Sequence, residues 1–154
     1  MFRVCPENLV RWGVSFCLLL LGGAAMAQQV SVVDAETLNS LQTRMPEVVV
    51  LDVRTAEEYQ AGHVPGAINI PYDQLPGGLA AFGVSPDQPV VTYCRSGRRA
   101  GVALQALAVA GFDKLGYLQG DFPGWAASGR PVVEGPCQNT VVAGAECQCG
   151  TGAC

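Results

Sequence analysis

Val48 to Val53 reads Val-Val-Val-Leu-Asp-Val, apolar throughout except for Asp52. Side chains alternate between the two faces of a strand, so a run apolar on both fits a parallel strand covered on either side. That segment constrains the fold more than any other. Around it the chain repeats the same kind of strand. Val30 to Val33 is short and β-branched, Ala67 to Ile70 lies between Pro65-Gly66 and Pro71, and Pro89 to Tyr93 and Leu115 to Leu118 follow.

Helical segments separate these strands. Asp34 is placed to cap a helix through about Arg44, with Leu38 and Leu41 on one face. Thr55 caps a short helix, with Glu58 three residues on as its capping-box partner. Tyr72 to about Phe82 reads as a weak helix broken by Pro76-Gly77-Gly78. Gly97 to Ala110 is alanine- and leucine-rich and closes at Gly111. Trp125 falls in a last short helix ended by Gly129 and Pro131. Strict alternation predicts an α/β fold, a central parallel sheet of about five strands with helices on both faces.

The chain divides into three segments. Residues 1–27 have the pattern of an export signal. Arg3 and Arg11 supply positive charge, Gly13 to Leu21 is apolar, and Ala25-Met26-Ala27 presents small residues for cleavage. The competing reading, an uncleaved anchor, needs a longer apolar span than Trp12 to Ala27 offers. Export implies a periplasmic or secreted protein, with membrane contact only during export. Residues 28–133 carry the alternating pattern and form the domain. Residues 134–154 lose all periodicity and hold Cys137, Cys147, Cys149 and Cys154.

Of 154 residues 49% are hydrophobic, enough for one packed α/β domain. The formal charge of -4 offers no basic face for nucleic acid, and removing residues 1–27 makes it one unit more negative. Cys5 and Cys17 leave with the signal. Five cysteines remain, in a compartment where disulfides persist. The four tail cysteines are candidates for two disulfides, with Cys94 the odd thiol. A redox or sulfur-relay role and a metal site are the alternatives. The spacing Cys-x9-Cys-x-Cys-x4-Cys matches no common zinc pattern, and no metal is assigned.

The chemistry concentrates in Tyr93-Cys94-Arg95-Ser96-Gly97-Arg98-Arg99-Ala100, where a buried strand meets a helix start. Ligands bind at the carboxyl ends of parallel strands. A loop curling there can aim backbone N–H groups inward as an anion nest, and the helix terminus adds its own. Gly97 permits the curl. Cys94 at the mouth of this loop would feel the helix end and up to three guanidiniums, surroundings that favour a thiolate nucleophile. A buried structural cysteine is the rival reading, but three arginines are hard to explain as packing.

Cys94-Arg95-Ser96-Gly97-Arg98-Arg99 resembles the active-site loop of the rhodanese family. Leu51-Asp52-Val53-Arg54, Glu58-Tyr59 and Gly62-His63-Val64-Pro65-Gly66-Ala67-Ile68-Asn69-Ile70-Pro71 resemble its upstream signature. Gly116-Tyr117-Leu118 and Gly120 through Trp125 to Val132 resemble its C-terminal edge. The likeness runs from about Val32 to Val133. One departure is Gly120-Asp121, where many members carry two glycines.

The resemblance implies a sulfurtransferase without metal or organic cofactor. Cys94 takes a sulfane sulfur from a small anionic donor such as thiosulfate and becomes a persulfide. Cyanide, a thiol or an acceptor protein then removes the sulfur. Arg95, Ser96, Gly97, Arg98 and Arg99 are candidates for binding the donor, Arg99 the weakest of the arginines. The alternatives are a persulfide carrier, a thiol–disulfide protein working through its tail, and a phosphatase or arsenate reductase. Related phosphatases use Cys-x5-Arg, whereas the sixth residue after Cys94 is Ala100.

Other conspicuous residues read as scaffold. His63, the only histidine, belongs to a turn. Asp52 needs partners to be buried, from Arg54 or loop N–H groups. Arg54 and Glu58, four apart, are expected to pair locally. Trp125 fits either the pocket rim or the core.

Overall fold

The computed structural model describes residues 29–135. The export signal, Cys5, Cys17 and the four tail cysteines lie outside the described residues.

The five expected strands form one sheet. They are β1 (Ser31–Val33), β2 (Val49–Asp52), β3 (Ile68–Asn69), β4 (Val90–Tyr93) and β5 (Leu115–Leu118). All pairings are parallel, in the order β1-β5-β4-β2-β3. The helices are α1 (Ala35–Arg44), α2 (Ala56–Gln60), α3 (Arg98–Val109) and α4 (Asp121–Ala127).

Strand alternation sorts the core into two layers. On one face Val49, Leu51, Val53, Val90 and Cys94 pack with Ala100, Ala103 and Leu107 of α3. On the other, Val50, Val91 and Tyr93 pack with Leu38 of α1, Tyr59 of α2 and Trp125 of α4. Helices therefore cover both faces, as continuous apolar strands require. Trp125 is a core residue, 1% exposed, and its Nε1–H donates to the Pro131 carbonyl at 2.8 Å.

The local signals account for most boundaries. Asp34 accepts from the Thr37 N–H at 2.7 Å and caps α1. Thr55 and Glu58 form a complete capping box on α2. The expected helix over 72–82 is instead two 3-10 turns, Tyr72–Gln74 and Gly77–Phe82. Pro76 lacks the N–H that a continuing helix needs, and Gly77-Gly78 contribute little helical preference. Beyond Trp125 the chain folds back. His63 and Val133 exchange backbone hydrogen bonds of 2.9 and 3.0 Å, and the Gly135 N–H donates to the Gln60 carbonyl.

Register places two loops side by side. Asp52 of β2 is level with Tyr93 of β4, so both strands end at one rim. The segment after β2 begins with Val53-Arg54, and the segment after β4 begins with Cys94.

Candidate active site

The strand before Cys94 and one face of the helix after it are buried, and the four residues from Cys94 to Gly97 cannot join them without a sharp turn. Gly97 makes that turn at φ +81°, a left-handed conformation suited to glycine, and is the N-cap of α3. A Cβ there would lie 3.2 Å from the Tyr117 hydroxyl. The curl aims two backbone donors at one sulfur. Cys94 Sγ accepts from the Gly97 N–H at 3.1 Å and the Ser96 N–H at 3.4 Å.

Cys94 is 0% exposed. The sequence suggests a position at the mouth of the loop; the structure puts the sulfur on its floor. The side chain of residue 94 points to the same face as Val90, into the layer shared with α3. Cys94 is the one free cysteine among the described residues.

The three loop arginines separate. Arg95 and Arg98 are exposed, and neither forms a salt bridge among the described residues. Arg99 instead grips Glu58 through two hydrogen bonds of 2.5 and 2.9 Å. Hydrogen bonds from Arg99 hold the Glu58 carboxyl down to about 2. This corrects the expected local pair of Arg54 with Glu58. Asp52 claims Arg54 first, because a buried carboxylate two residues away needs the guanidinium more than a half-buried one does.

Arg54 is buried and fully engaged. Its Nε lies 3.0 Å from both Asp52 oxygens, its NH2 group donates to Asp52 Oδ2 at 2.6 Å, and it reaches the Gly62 carbonyl at 2.7 Å. The guanidinium also stacks 4.1 Å from the Phe122 ring centre. Burial works against the Arg54 charge, but the hydrogen bonds and charge of Asp52 prevail and keep its pKa above the ordinary value. Asp52 also accepts the Arg54 N–H at 2.9 Å, so both expected kinds of partner are present.

His63 is buried in the turn after α2. It stacks on Tyr59 at 3.6 Å between ring centres, and its Nδ1 lies 2.9 Å from the Tyr59 carbonyl, which requires a proton on that nitrogen.

Sequence reasoning missed the part played by Asp121. It is 3% exposed, at φ +55°, and its Oδ1 accepts the Cys94 N–H at 2.8 Å. Its Oδ2 accepts from the Tyr117 hydroxyl at 2.7 Å. The Phe122 N–H donates to the Cys94 carbonyl at 3.1 Å, so the start of α4 holds both backbone polar groups of Cys94. Burial, then the hydrogen bond and charge of Asp121, push Tyr117 up to about 12. The one available signal was the departure from a glycine pair at Gly120-Asp121.

Two hollows open beside the loop. One, about 510 Å³, runs past Val30, Val32, Leu104 and Tyr117 to Gly97. The other, about 320 Å³, is lined by Arg54, Thr55, Tyr72, Asp73 and Arg99 among others. Among the described residues no group of three His, Cys, Asp or Glu side chains could hold a metal ion.

Fold and loop together define a class: parallel α/β domains that hold a cysteine sulfur under the N–H groups of a strand-to-helix loop. The chain belongs to the rhodanese-like domain family, whose model matches residues 34–128. It is 32% identical over 104 residues to a sulfurtransferase of Allochromatium vinosum, covering 68% of this chain and 95% of that protein. It is also 32% identical over 95 residues to the thiosulfate:glutathione sulfurtransferase of Saccharomyces cerevisiae, covering 54% and 68%. The solution NMR structure of a rhodanese-like domain from an Anabaena protein matches with TM-score 0.62 and 27% identity, covering 82% of this chain and 95% of that one. Other relatives are longer, and the chain spans 30% to 62% of their length.

Proposed function

We propose that the protein is an exported sulfurtransferase in which Cys94 carries sulfane sulfur from a small anionic donor, such as thiosulfate, to a thiol. The observation that carries this reading is the pair of N–H donors converging on Cys94 Sγ. Two donors aimed at one sulfur suit an anion, thiolate or persulfide, better than a neutral thiol.

In the first step the Cys94 thiolate attacks the outer sulfur of thiosulfate. The new S–S bond forms on Cys94, the sulfur–sulfur bond of thiosulfate breaks, and its electron pair leaves with sulfite. In the second, a thiolate or cyanide attacks the outer persulfide sulfur and Cys94 thiolate departs. The donor set needs no metal or organic cofactor for either step. Arg95 and Arg98, exposed at the rim, supply attraction for the anionic donor. Arg99 acts through its grip on Glu58, which ties the loop to α2.

The glutathione-dependent activity for which the yeast relative is named supports a small thiol as acceptor for this chain too, alongside an acceptor protein. A phosphatase reading would need a guanidinium at the sixth residue after Cys94. That residue is Ala100, 0% exposed in the core against the sheet, with no room for one. The pattern of residues 1–27 supports export to the periplasm or beyond. Mass measurement on protein from the periplasmic fraction tests cleavage after Ala27.

The assay is thiocyanate formation from thiosulfate and cyanide, repeated with glutathione as acceptor. Activity with both, abolished by Cys94→Ser, is the expected result. A folded wild-type protein that forms neither thiocyanate nor glutathione persulfide contradicts the proposal.

A further inference from the structure

Asp121 presents a physical conflict. A site read as binding an anionic donor has a buried carboxylate hydrogen-bonded to the backbone of its own nucleophile. The carboxylate accepts the Cys94 N–H, and the position of a Cβ on Gly97 would be 3.6 Å from its Oδ2. Gly97 is the residue whose N–H reaches Sγ. No cation among the described residues forms a salt bridge with Asp121. Its stabilisation comes from the Cys94 N–H, the Tyr117 hydroxyl and its place in the first turn of α4, where negative charge is favoured.

The backbone adds to the case. Asp121 is the only residue other than glycine with positive φ among the described residues. An L-residue in that conformation is strained, less so for Asp and Asn than for others. A glycine would relieve the strain. The carboxylate is thus held at a cost in backbone strain, against the residue that bears the sulfur.

We propose that Asp121 is a specificity-determining residue: its buried carboxylate ranks sulfur donors by charge, favouring singly charged donors over the thiosulfate dianion. The chemical class so favoured is the monoanionic sulfane donors, thiosulfonates and the persulfides of small thiols. A buried charge is screened by salt far less than a surface one, so an extra negative charge on the donor is still repelled by it. The inference rests on the reading of Cys94 as sulfur carrier.

Two donors isolate charge from chemistry. Thiosulfate passes its outer sulfur to the Cys94 thiolate and leaves as sulfite. Methanethiosulfonate, a monoanion, passes its outer sulfur to the same thiolate and leaves as methanesulfinate. The quantity read is the ratio of kcat/KM for thiosulfate to that for methanethiosulfonate, with cyanide as acceptor, in the full chain. Asp121→Asn keeps the size and the acceptor for the Cys94 N–H, and tolerates a left-handed backbone. Asp121→Gly loses both hydrogen bonds but relieves the backbone. Both lose the charge.

The expected result is that both variants raise the ratio on the order of tenfold, as Coulomb attenuation across a few ångströms of protein implies. The rise falls mainly on KM for thiosulfate. A purely structural role predicts otherwise: Asp121→Asn resembles wild type, and Asp121→Gly slows both donors alike. Either a ratio unchanged within twofold in Asp121→Asn or a fall in that ratio overturns the proposal. Should neither donor place a sulfur on Cys94 in wild type, it is the sulfur-carrier reading itself that fails.

Discussion

The loops after β2 and β4 end level on one rim, and both are dense in charge, yet they differ in what they leave unused. After β2, Asp52, Arg54, the Gly62 carbonyl and Asn69 consume one another; Asn69 donates to the carbonyls of Asp52 and Arg54 at 3.0 Å. After β4, two N–H groups converge on a sulfur, and two arginines form no salt bridge among the described residues. Charge density therefore does not mark the site. The distinction is between polar groups that satisfy each other and polar groups aimed at a place where a ligand can sit. The first arrangement holds the rim together, and the second is the one proposed to do chemistry on it.

The sharpest way to break this contrast is to disable the structural half. Asp52→Ala leaves the Arg54 guanidinium buried without its anion. Removing one partner of a buried pair costs about 3–5 kcal/mol. Urea denaturation should show a loss of that size. If the protein keeps its stability, the β2 loop is not the scaffold described here. Gly97→Ala attacks the other half. The added methyl meets the Tyr117 hydroxyl in a backbone region alanine resists, so strain of about 1–3 kcal/mol falls on the loop. Sulfur transfer should drop on the order of 100-fold, as misplacement of reacting groups does. Equal activity in Gly97→Ala would show that the curl is dispensable.

A smaller effect joins the two halves. The Glu58 carboxyl stands near 2 against an ordinary 4.5, so its ion pair favours the folded state while it is ionised. That stabilisation is complete above about pH 4.5 and is lost as pH falls toward 2. Because both partners are partly exposed, it amounts to about 1 kcal/mol. Glu58→Gln should be less stable than wild type at pH 7, and the difference should vanish in acid. A difference that stays constant between pH 7 and pH 2 contradicts the pairing. The smallest effect is at Arg98→Ala. The thiosulfate KM should rise a few-fold, with stability within about 0.5 kcal/mol of wild type, as for exposed positions. An unchanged KM would remove Arg98 from donor binding.

Much of this was legible before the fold was seen. The strands, both helix caps and the position of the sulfur loop follow from periodicity and turn chemistry, which act over a few residues. The strand order does not, because it is set by packing of whole elements. The partners of Arg54 and Arg99 were hidden for the same reason. Glu58 is four residues from Arg54 but 41 from Arg99, and only the level register of β2 and β4 brings the distant one closer. Asp121 was visible as an oddity but not as a contact, since 27 residues separate it from Cys94. The burial of Cys94 was obscured because the loop's arginines suggest solvent, while its own side chain follows the strand's inward face.

The central claim is that sulfur travels on Cys94, and locating that sulfur tests it most directly. Full-length protein treated with thiosulfate, trapped with an alkylating reagent and mapped by peptide mass should carry one added sulfur on Cys94. Cyanide should remove it and release one equivalent of thiocyanate. Sulfur found instead on Cys137, Cys147, Cys149 or Cys154, or thiocyanate turnover surviving in Cys94→Ser, would contradict the account.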